Sequence, residues 1–534
     1  MDRDFQALLR RALADPTIYP HKVTKISRRE THISLVYLTG DYVYKIKKPV
    51  DLGFVDFSSL EKRRTFCEQE VRLNRRLTSG IYLAVVPILW NGKKMQLTGT
   101  GEAVEYAVQM RQLSSARTMD RLLAKNAIAD ADVERLAAKL VAFHDSALPV
   151  RDQPIFAFVK AACDENFRQV APYENNLLSA GQLDTIRRAT HKALEFQQGL
   201  FNKRTISGKI RDGHGDLRSE HVYFAEDGQI QILDCIEFND RLRRVDVASD
   251  LAFLAMDLEY LKRTRLARLF LESYCRKAGD ASLLGLMSFY QCYRAMVRCK
   301  VNCIRYTNPG LSRHEQNGLA ADARRYLRMA RRYAQRMTRP TLWIVCGLPA
   351  AGKSSVSRGL AEALDIAVLN SDRVRKRLCG LSPRDYTAGP VDEGIYAAEI
   401  SQQVYEELLN TARKQIGAGR SFILDATYSL SIHRQKLLQL ADECRAEIYF
   451  VECIADDKVL RERLRKRDQG QPVSDARLVH FEILRSRFEP LNDIPPISHI
   501  RLDTTADAAD CLNSLFIERY LYREQGIILP ANRN

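Results

Sequence analysis

Short apolar runs separated by turn residues dominate the first hundred residues, and further along the chain the apolar spacing becomes helical. Turn residues such as Thr39-Gly40-Asp41 and Asn91-Gly92 stand between apolar runs, which predicts β-hairpins. The predicted strand pairs are residues 33–38 with 42–46, residues 85–90 with 94–97, and a hairpin within residues 222–233. Helical spacing predicts helices over residues 60–77, 132–145, 184–198, 261–277 and 283–306. The first 310 residues are therefore expected to mix a small sheet with many helices.

A different pattern begins at Pro340. Apolar runs of strand length alternate with helical stretches, which predicts a parallel sheet covered by helices on both faces. The predicted strands are residues 341–346, 366–369, 422–424, 448–451 and 499–502. A strongly basic helical stretch precedes Pro340 and indicates a domain boundary. The expected organisation is a domain over residues 1–310, a basic helical linker over 311–339 and a domain over 340–534; the linker helix presents either a solvated face or a partner surface.

Composition adds a charge preference and excludes several classes of protein. Lys and Arg number 82 against 66 Asp and Glu, and the net charge of +16 suits nucleotides, nucleic acid or phosphorylated metabolites. The 12 cysteines form no C-x-x-C pair, so they indicate buried thiols rather than disulfides or a zinc site. Because no signal peptide or membrane span is recognisable, a cytoplasmic protein without a membrane partner is expected.

Residues 347–354 match the phosphate-loop pattern G-x-x-x-x-G-K-[ST] in full, between an apolar strand and a helical stretch. Backbone N–H groups in such a loop, and the start of the helix, surround the phosphates. Lys353 would supply a positive charge at the β- and γ-phosphates, and Ser354 would offer its hydroxyl to Mg²⁺. The predicted nucleotide-binding residues are Gly347, Leu348, Pro349, Ala350, Ala351, Gly352, Lys353, Ser354 and Ser355.

Two acids, Asp372 and Asp425, follow strands of the predicted parallel sheet. At the carboxyl ends of such strands both would face the crevice near the γ-phosphate. One would accept a proton from a substrate hydroxyl while the other orients Mg²⁺, although each could instead cap a helix. The basic run 461–468 is either a lid, in which Arg461 and Arg465 neutralise the transferring phosphate, or a solvated helix face.

These motifs resemble those of small P-loop kinases, a group that includes polynucleotide 5′-kinases, gluconate kinases and zeta-toxin-type kinases. The resemblance covers about residues 340–534. The segments that carry it are 347–354, Ser371-Asp372-Arg373, Leu424-Asp425-Ala426-Thr427 and the basic run. It implies that Asp372 is the base for the acceptor hydroxyl, and that Arg373 and Arg434 contact the acceptor or a phosphate.

A second candidate site lies in the N-terminal half. In His214-Gly215-Asp216-Leu217 the carboxylate of Asp216 could face an acceptor hydroxyl, while Asp234, at the end of a later strand, holds Mg²⁺. Lys45, on a predicted strand, and Glu70, on the next helix, would pair and hold the α- and β-phosphates. The rival residues for these two roles are Lys47, Lys48 and Glu68.

These N-terminal motifs resemble the aminoglycoside-phosphotransferase branch of the protein-kinase-like fold, over about residues 20–310. The order of the two halves resembles a bacterial two-domain family of phosphotransferase and ATP-binding proteins. Two departures stand out. His221 occupies the position of a metal-binding Asn, which makes it a candidate metal ligand suited to softer metals than Mg²⁺. Thr31-His32-Ile33-Ser34 stands where the pattern has a glycine-rich loop.

The expected fold class is α/β multidomain, with a bilobal α+β protein-kinase-like domain followed by a P-loop kinase (AAA-type ATP-binding) domain built on a parallel sheet. The expected function is a bifunctional, ATP- and Mg²⁺-dependent phosphotransferase that acts on a hydroxyl of an unidentified small molecule or nucleic-acid end. The alternative is a C-terminal kinase regulated by a catalytically silent N-terminal module, as the two departures would allow. The acceptors and the oligomeric state stay open.

Overall fold

The computed structural model describes residues 3–529, apart from residues 52, 54, 152, 383–384, 386–391 and 469–476. Its internal contacts separate the chain into two compact units. The first unit comprises Met1–Phe158 and Arg204–Phe270, and the second comprises Val159–Lys203 and Leu271–Asn534. The domain boundaries expected near residues 310 and 340 stay predictions.

An antiparallel sheet of the first unit carries the candidate lysines. Its strands, in the order β1-β2-β3-β6-β4-β5, are β1 (Ser27–Glu30), β2 (Ser34–Leu38), β3 (Tyr42–Lys47), β4 (Tyr82–Trp90), β5 (Met95–Gln96) and β6 (Glu102–Arg111). Both hairpins predicted in this region are confirmed. The helices here are α1 (Arg3–Leu13), which was not predicted, and α2 (Leu60–Asn74), which was.

Alternation along β3 sends its side chains to two different layers. Tyr44 and Ile46 pack into the core that contains Leu9 and Leu13 of α1. Lys45 and Lys47 therefore point to the opposite face of the sheet, where α2 packs against β4 and β6. A strand periodicity of two thus places both lysines on the side of α2.

The rest of the first unit holds two strand pairs and several helices. Its strands are β7 (Ile210–Asp212), β8 (Val222–Phe224), β9 (Ile230–Ile232) and β10 (Arg244–Asp246), which pair as β7 with β10 and β8 with β9. Its helices are α3 (Met119–Ala124), α4 (Asp130–Ser146), α7 (Asp240–Arg243) and α8 (Val247–Tyr260). The β8–β9 hairpin brings the end of β9 back beside the segment that precedes β8. Helices α5 (Ile155–Val170), α6 (Ala180–Ile206) and α9 (Thr264–Ala278) contain the residues at which the two units are divided.

The second unit contains the predicted parallel sheet, with strand order β12-β13-β11-β14-β15. The strands are β11 (Thr341–Cys346), β12 (Ala367–Asn370), β13 (Phe422–Asp425), β14 (Glu447–Ile454) and β15 (His499–Asp503), and all neighbouring pairs are parallel. The helices of this part are α12 (Lys353–Leu364), α13 (Ser371–Leu378), α14 (Ala398–Gly417), α15 (Ser431–Glu443), α16 (Asp457–Asp468), α17 (Phe481–Ser486) and α18 (Ala508–Phe516). Every residue of β11 is buried, as expected for a central parallel strand.

The second unit also contains α10 (Met287–Tyr306) and α11 (Arg313–Met337), which pack against each other. Helix α11 is the predicted basic linker, but it is not solvated all round. It buries one apolar side, which includes Ala323, Tyr326, Leu327, Ala330 and Tyr333. Arginines such as Arg328 and Arg331 lie on its exposed side, so the helix is amphipathic and belongs to the packed structure.

The cysteines are thiols, as their spacing indicated. No disulfide joins the twelve described cysteines, and ten of them are buried. None of the described helices is long and apolar enough to cross a membrane.

Candidate functional sites

Lys45 is the centre of the N-terminal site. Its Nζ lies 2.8 Å from Glu70 Oε1 and 2.8 Å from Asp234 Oδ1. The neighbouring Lys47 is buried, with its Nζ 2.7 Å from Glu70 Oε2, and it also pairs with Glu237. Glu70 therefore holds both lysines, and only Lys45 reaches the exposed carboxylate of Asp234.

The rival residues point elsewhere. Lys48 Nζ lies 2.7 Å from Glu30 Oε1 and donates to the carbonyl oxygen of Thr31 at 2.8 Å. Glu68 pairs with Arg64, one turn earlier on the exposed side of α2. The geometry thus favours Lys45 and Glu70 for the phosphate-binding pair.

The charged side chains of this cluster stabilise one another's ionised forms. Burial alone would lower the pKa of Lys45, but the carboxylates of Asp234 and Glu70 overcome it and hold that pKa well above its usual value. The Lys45 ammonium in turn holds the pKa of Asp234 well below the usual range. At neutral pH the cluster therefore presents an ionised carboxylate, Asp234, beside a cation, which is the charge pattern that a metal–phosphate complex requires.

The segment before β8 is held by a buried histidine. The backbone N–H groups of His214 and Gly215 donate to Asp250 on α8, at 2.7 and 2.9 Å. The His214 Nε2 donates to the Leu233 carbonyl at 2.9 Å, and its Nδ1 accepts from the Asp216 N–H at 3.2 Å. Burial lowers the pKa of His214 to about 4, so the ring is neutral and anchors the backbone of Asp216.

Asp216 pairs with Arg218, a residue to which the sequence motifs gave no role. Arg218 Nε lies 3.1 Å from Asp216 Oδ1, and Nη2 lies 3.0 Å from Oδ2. The same Nη2 lies 3.2 Å from His221 Nε2. His221 Nε2 is also 3.8 Å from Asp234 Oδ2, so the fold brings Asp216, His221 and Asp234 together as predicted.

The phosphate loop of the second unit joins β11 to α12. Gly347 has φ +128°, and a Cβ there would lie 2.5 Å from the Cys453 carbonyl oxygen. Only glycine fits this close approach. Lys353 Nζ donates to the carbonyl oxygens of Gly347 (3.0 Å) and Leu348 (2.8 Å). Ser354 and Ser355 are exposed in the first turn of α12, where hydroxyls can reach a bound metal or phosphate.

The two predicted acids of this site are brought to the same edge of the sheet. Asp425 ends β13, beside β11, and its Oδ2 accepts a hydrogen bond of 2.8 Å from Asn370 Nδ2. Asn370 ends β12 and caps α13 by accepting from the Arg373 N–H at 3.1 Å. Asp372 lies half-buried in the first turn of α13, and Arg373 is exposed. Asn370 was not predicted as a site residue, because an Asn at the end of a strand is typical of a helix N-cap.

Among the described side chains of the basic run, Arg463 is the one that contacts the phosphate loop; those of 467 and 468 lie outside the described residues. Its Nη1 lies 3.3 Å from the Ala350 carbonyl oxygen, and Nη2 lies 2.6 Å from the Thr504 carbonyl oxygen. The Thr504 hydroxyl donates to the Ala351 carbonyl at 2.9 Å, so both residues support the loop. The predicted Arg461 and Arg465 lie elsewhere on α16: Arg461 pairs with Glu482, and Arg465 is exposed. Residues 461 and 465 share a helix side that 463 does not, and nothing in the sequence says which side meets the loop.

Arg434, predicted to contact the acceptor, is fully buried. Its guanidinium lies 2.7 Å from Asp493 Oδ1 and also donates to backbone carbonyls, including that of Tyr428 at 2.8 Å. These contacts tie the segment after β13 to residues 489–493. The structure therefore gives Arg434 a bracing position inside the fold and does not present it to an acceptor.

Metal binding in the described residues would depend on single carboxylates. No group of three or more His, Cys, Asp or Glu side chains there is arranged to hold a metal ion. Mg²⁺ in phosphate-transfer sites commonly binds one or two carboxylates, with phosphate and water completing its shell. Asp234 in the first unit and Asp425 with Ser354 in the second fit that requirement.

Comparison with known proteins identifies the family. A family model described as an AAA domain (AAA_33) matches residues 342–491, which include the phosphate loop and both acids. "Uncharacterized protein Rv2004c" of Mycobacterium tuberculosis (strain ATCC 25618 / H37Rv) is 34% identical over 475 residues, covering 87% of this chain and 91% of that protein. The chain belongs to the family of this mycobacterial protein. The family-model match places an AAA domain in the C-terminal part of the chain, where the parallel sheet expected from the sequence is present.

Two solved structures similar to this chain are kinases or kinase-family proteins by their descriptions. A choline/ethanolamine kinase family protein from Mesorhizobium loti is 16% identical, covers 62% of this chain and 99% of its own, and has a TM-score of 0.38. A putative kinase from Chloroflexus aurantiacus is 22% identical, covers 33% of this chain and 96% of its own, and has a TM-score of 0.27.

Proposed function

We propose that this protein is an ATP- and Mg²⁺-dependent phosphotransferase with two kinase-type nucleotide sites, each acting on a hydroxyl of an acceptor. The observation that carries the proposal is the phosphate loop between β11 and α12. Its lysine lies over the loop carbonyls, and Asp425 ends the adjacent strand. Loop amides, a lysine and a strand-end acid together bind nucleotide phosphates and their metal.

In the C-terminal site, Lys353 moves from the loop carbonyls to the β- and γ-phosphates when a nucleotide binds. Asp425 and Ser354 would hold Mg²⁺, which would neutralise charge on the phosphates. Asp372 accepts the proton of the acceptor hydroxyl as the acceptor oxygen bonds to the γ-phosphorus and the bond from that phosphorus to the ADP oxygen breaks. Arg463 keeps the loop in its binding shape through Ala350 and Thr504.

In the N-terminal site, Lys45 binds the α- and β-phosphates while Glu70 holds its side chain. Asp234 would hold the metal, and Asp216, whose two oxygens contact Arg218, is the residue proposed to accept the proton of the acceptor hydroxyl. The acceptor of either site is a small molecule or a nucleic-acid end, and the exposed arginines of α11 and the net charge of +16 support an anionic one.

Calorimetric titration of Mg·ATP tests the proposal without knowledge of an acceptor. The full chain should bind two nucleotides, and Lys353→Ala should leave one. Lys45→Met should leave the other, and the pair of substitutions should abolish binding. Lys62→Met, on the exposed side of α2, is the control and should bind two. Two nucleotides retained by the Lys353→Ala, Lys45→Met double variant would contradict the assignment of both sites.

A single site that disappears with Lys353 would instead favour the regulatory alternative. The N-terminal unit would then bind a ligand other than ATP and influence the P-loop kinase. The two candidate functions also predict different effects of Asp216→Asn. This substitution should lower phosphoryl transfer only if the N-terminal site is catalytic.

A further inference from the structure

In the N-terminal site, protein side chains lie at the position where the protein-kinase pattern has a second metal ion. In the protein-kinase pattern two Mg²⁺ ions are held, one by an acid at a strand end and one by an Asn five residues after the catalytic Asp. In this chain the acid is Asp234, and the Asn position is His221. The contacts of His221 decide whether a metal ion can bind there.

Both ring nitrogens of His221 are already engaged. A guanidinium N–H can only donate, so His221 Nε2 accepts from Arg218 Nη2 across 3.2 Å. The ring proton is therefore on Nδ1, which donates to the Asp216 carbonyl oxygen at 2.8 Å. The one lone pair that could bind a metal points at a cation, and a metal ion at Nε2 would have to displace it.

Arg218 is not easily displaced. It binds both carboxylate oxygens of Asp216, pairs with Glu220, and its side chain is only 12% exposed. Its guanidinium also lies over the ring of Phe253, 6.0 Å from the centroid. Burial would lower the pKa of Arg218, but Asp216 and Glu220 raise it above its usual value. Removing one partner from such a buried pair leaves a carboxylate without its counter-charge.

We infer that the N-terminal site works with one divalent cation, held by Asp234, and that Arg218, fixed by His221, occupies the position of the second metal ion of other kinases. The inference rests on the proposed nucleotide binding at Lys45. Arginine suits this place because its fork matches the Asp216 carboxylate and its charge persists at any working pH. His221 is then a positioning residue, because it orients Arg218 and not a metal.

Counting bound Mn²⁺ tests this directly. Mn²⁺ replaces Mg²⁺ and is measured by the electron paramagnetic resonance signal of the free ion. The Lys353→Ala chain, whose remaining nucleotide site is the N-terminal one, is saturated with the non-hydrolysable analogue AMP-PNP and titrated with Mn²⁺. One Mn²⁺ per bound AMP-PNP is expected. Two Mn²⁺ per nucleotide would overturn the inference while leaving the proposed function intact. No bound nucleotide would remove the N-terminal site from the proposed function, and the inference with it.

A matched set of substitutions tests whether a second Mn²⁺ site can be created. In the same Lys353→Ala background, His221→Asn combined with Arg218→Met restores the amide ligand and removes the cation. The Mn²⁺ count should then rise from one to two per nucleotide. Arg121→Met, on a side chain that is 68% exposed, is the control and should keep a count of one. A count of one in the double substitution, with AMP-PNP still bound, would show that Arg218 and His221 do not occupy a second metal position.

Discussion

Lys45 Nζ lies 2.8 Å from Asp234 Oδ1, although 189 positions separate the two residues along the chain. The contact joins the lysine of β3 to the acid that follows β9. Each partner is held charged by the other. In the proposed function, a nucleotide phosphate would take the place of Asp234 beside Lys45 and a metal ion the place of Lys45 beside Asp234, so neither charge would be left unpaired.

Lys45→Met should strongly weaken nucleotide binding at the N-terminal site. A hydrogen bond to a charged group contributes about 1.5–3 kcal/mol, so affinity should fall by about 10- to 150-fold. The measurement is calorimetric titration of Mg·ATP in the Lys353→Ala background. Unchanged affinity would show that another residue holds the phosphates.

A substitution at the neighbouring Lys47 distinguishes an effect on stability from an effect on nucleotide binding. Because Lys47 is buried between Glu70 and Glu237, Lys47→Met should destabilise the first unit by about 3–5 kcal/mol, the effect of breaking a buried pair. Urea unfolding should show this loss. Lys45 is partly exposed, so Lys45→Met should shift the unfolding midpoint much less.

Gly347→Ala should damage the phosphate loop by steric overlap. The new Cβ would lie 2.5 Å from the Cys453 carbonyl oxygen at φ +128°. The strained backbone costs about 1–3 kcal/mol, and relief of the overlap moves the loop amides away from the phosphates. Nucleotide binding at the C-terminal site should be lost, as measured by titration in the Lys45→Met background.

Gly380→Ala is the matched control for that substitution. Gly380 also has positive φ, +71°, but no described atom lies within 4 Å of the Cβ position. It should lose about 1–2 kcal/mol of unfolding free energy and keep its nucleotide affinity. Equal loss of binding in both variants would show that backbone strain, and not overlap with Cys453, is responsible.

Arg463→Ala should weaken nucleotide binding at the C-terminal site by about 10-fold or more, because a charged hydrogen bond contributes about 1.5–3 kcal/mol. The physical reason is loss of the contacts to the Ala350 and Thr504 carbonyls. Titration in the Lys45→Met background measures the change. Arg413→Ala, on the exposed side of α14, should leave affinity unchanged; if the two variants behave alike, Arg463 does not support the loop.

Stability of the first unit should fall as the pH drops from about 6.5 towards 4 because of His214. Its pKa is about 4 in the folded protein and about 6.5 in an unfolded chain. Below pH 6.5 the unfolded state therefore binds the extra proton more readily, and unfolding becomes easier by up to about 1.4 kcal/mol per pH unit. Protonation would also place an Nδ1–H against the Asp216 N–H.

Urea unfolding at pH 7.5 and pH 5 measures this dependence, with His214→Gln as the comparison. The variant should lose part of the pH dependence and should be less stable at pH 7.5. If the unsubstituted chain and the variant lost equal stability on acidification, His214 would not be the group responsible.

Local patterns predicted the elements correctly where one periodicity dominates. The turn residues around Gly40 and Gly92 define their hairpins, because few residue types allow such tight reversals. The strands after Pro340 were recognised because a buried parallel strand is a short, continuous apolar run. Helix α1 was missed, since its burial depends on the sheet that it covers.

The sequence by itself determined the phosphate loop, the acids Asp372 and Asp425 at or just after the ends of β12 and β13, and the motifs that contain Asp216 and Asp234. These features depend on backbone conformation and residue type within a few positions, which a sequence shows directly. Only the tertiary structure decided which lysine pairs with Asp234, that Arg463 rather than Arg461 supports the loop, and that Arg434 and His221 are engaged within the protein. Those outcomes depend on which face of a strand or helix is covered and on partners far along the chain, and neither is encoded in local periodicity.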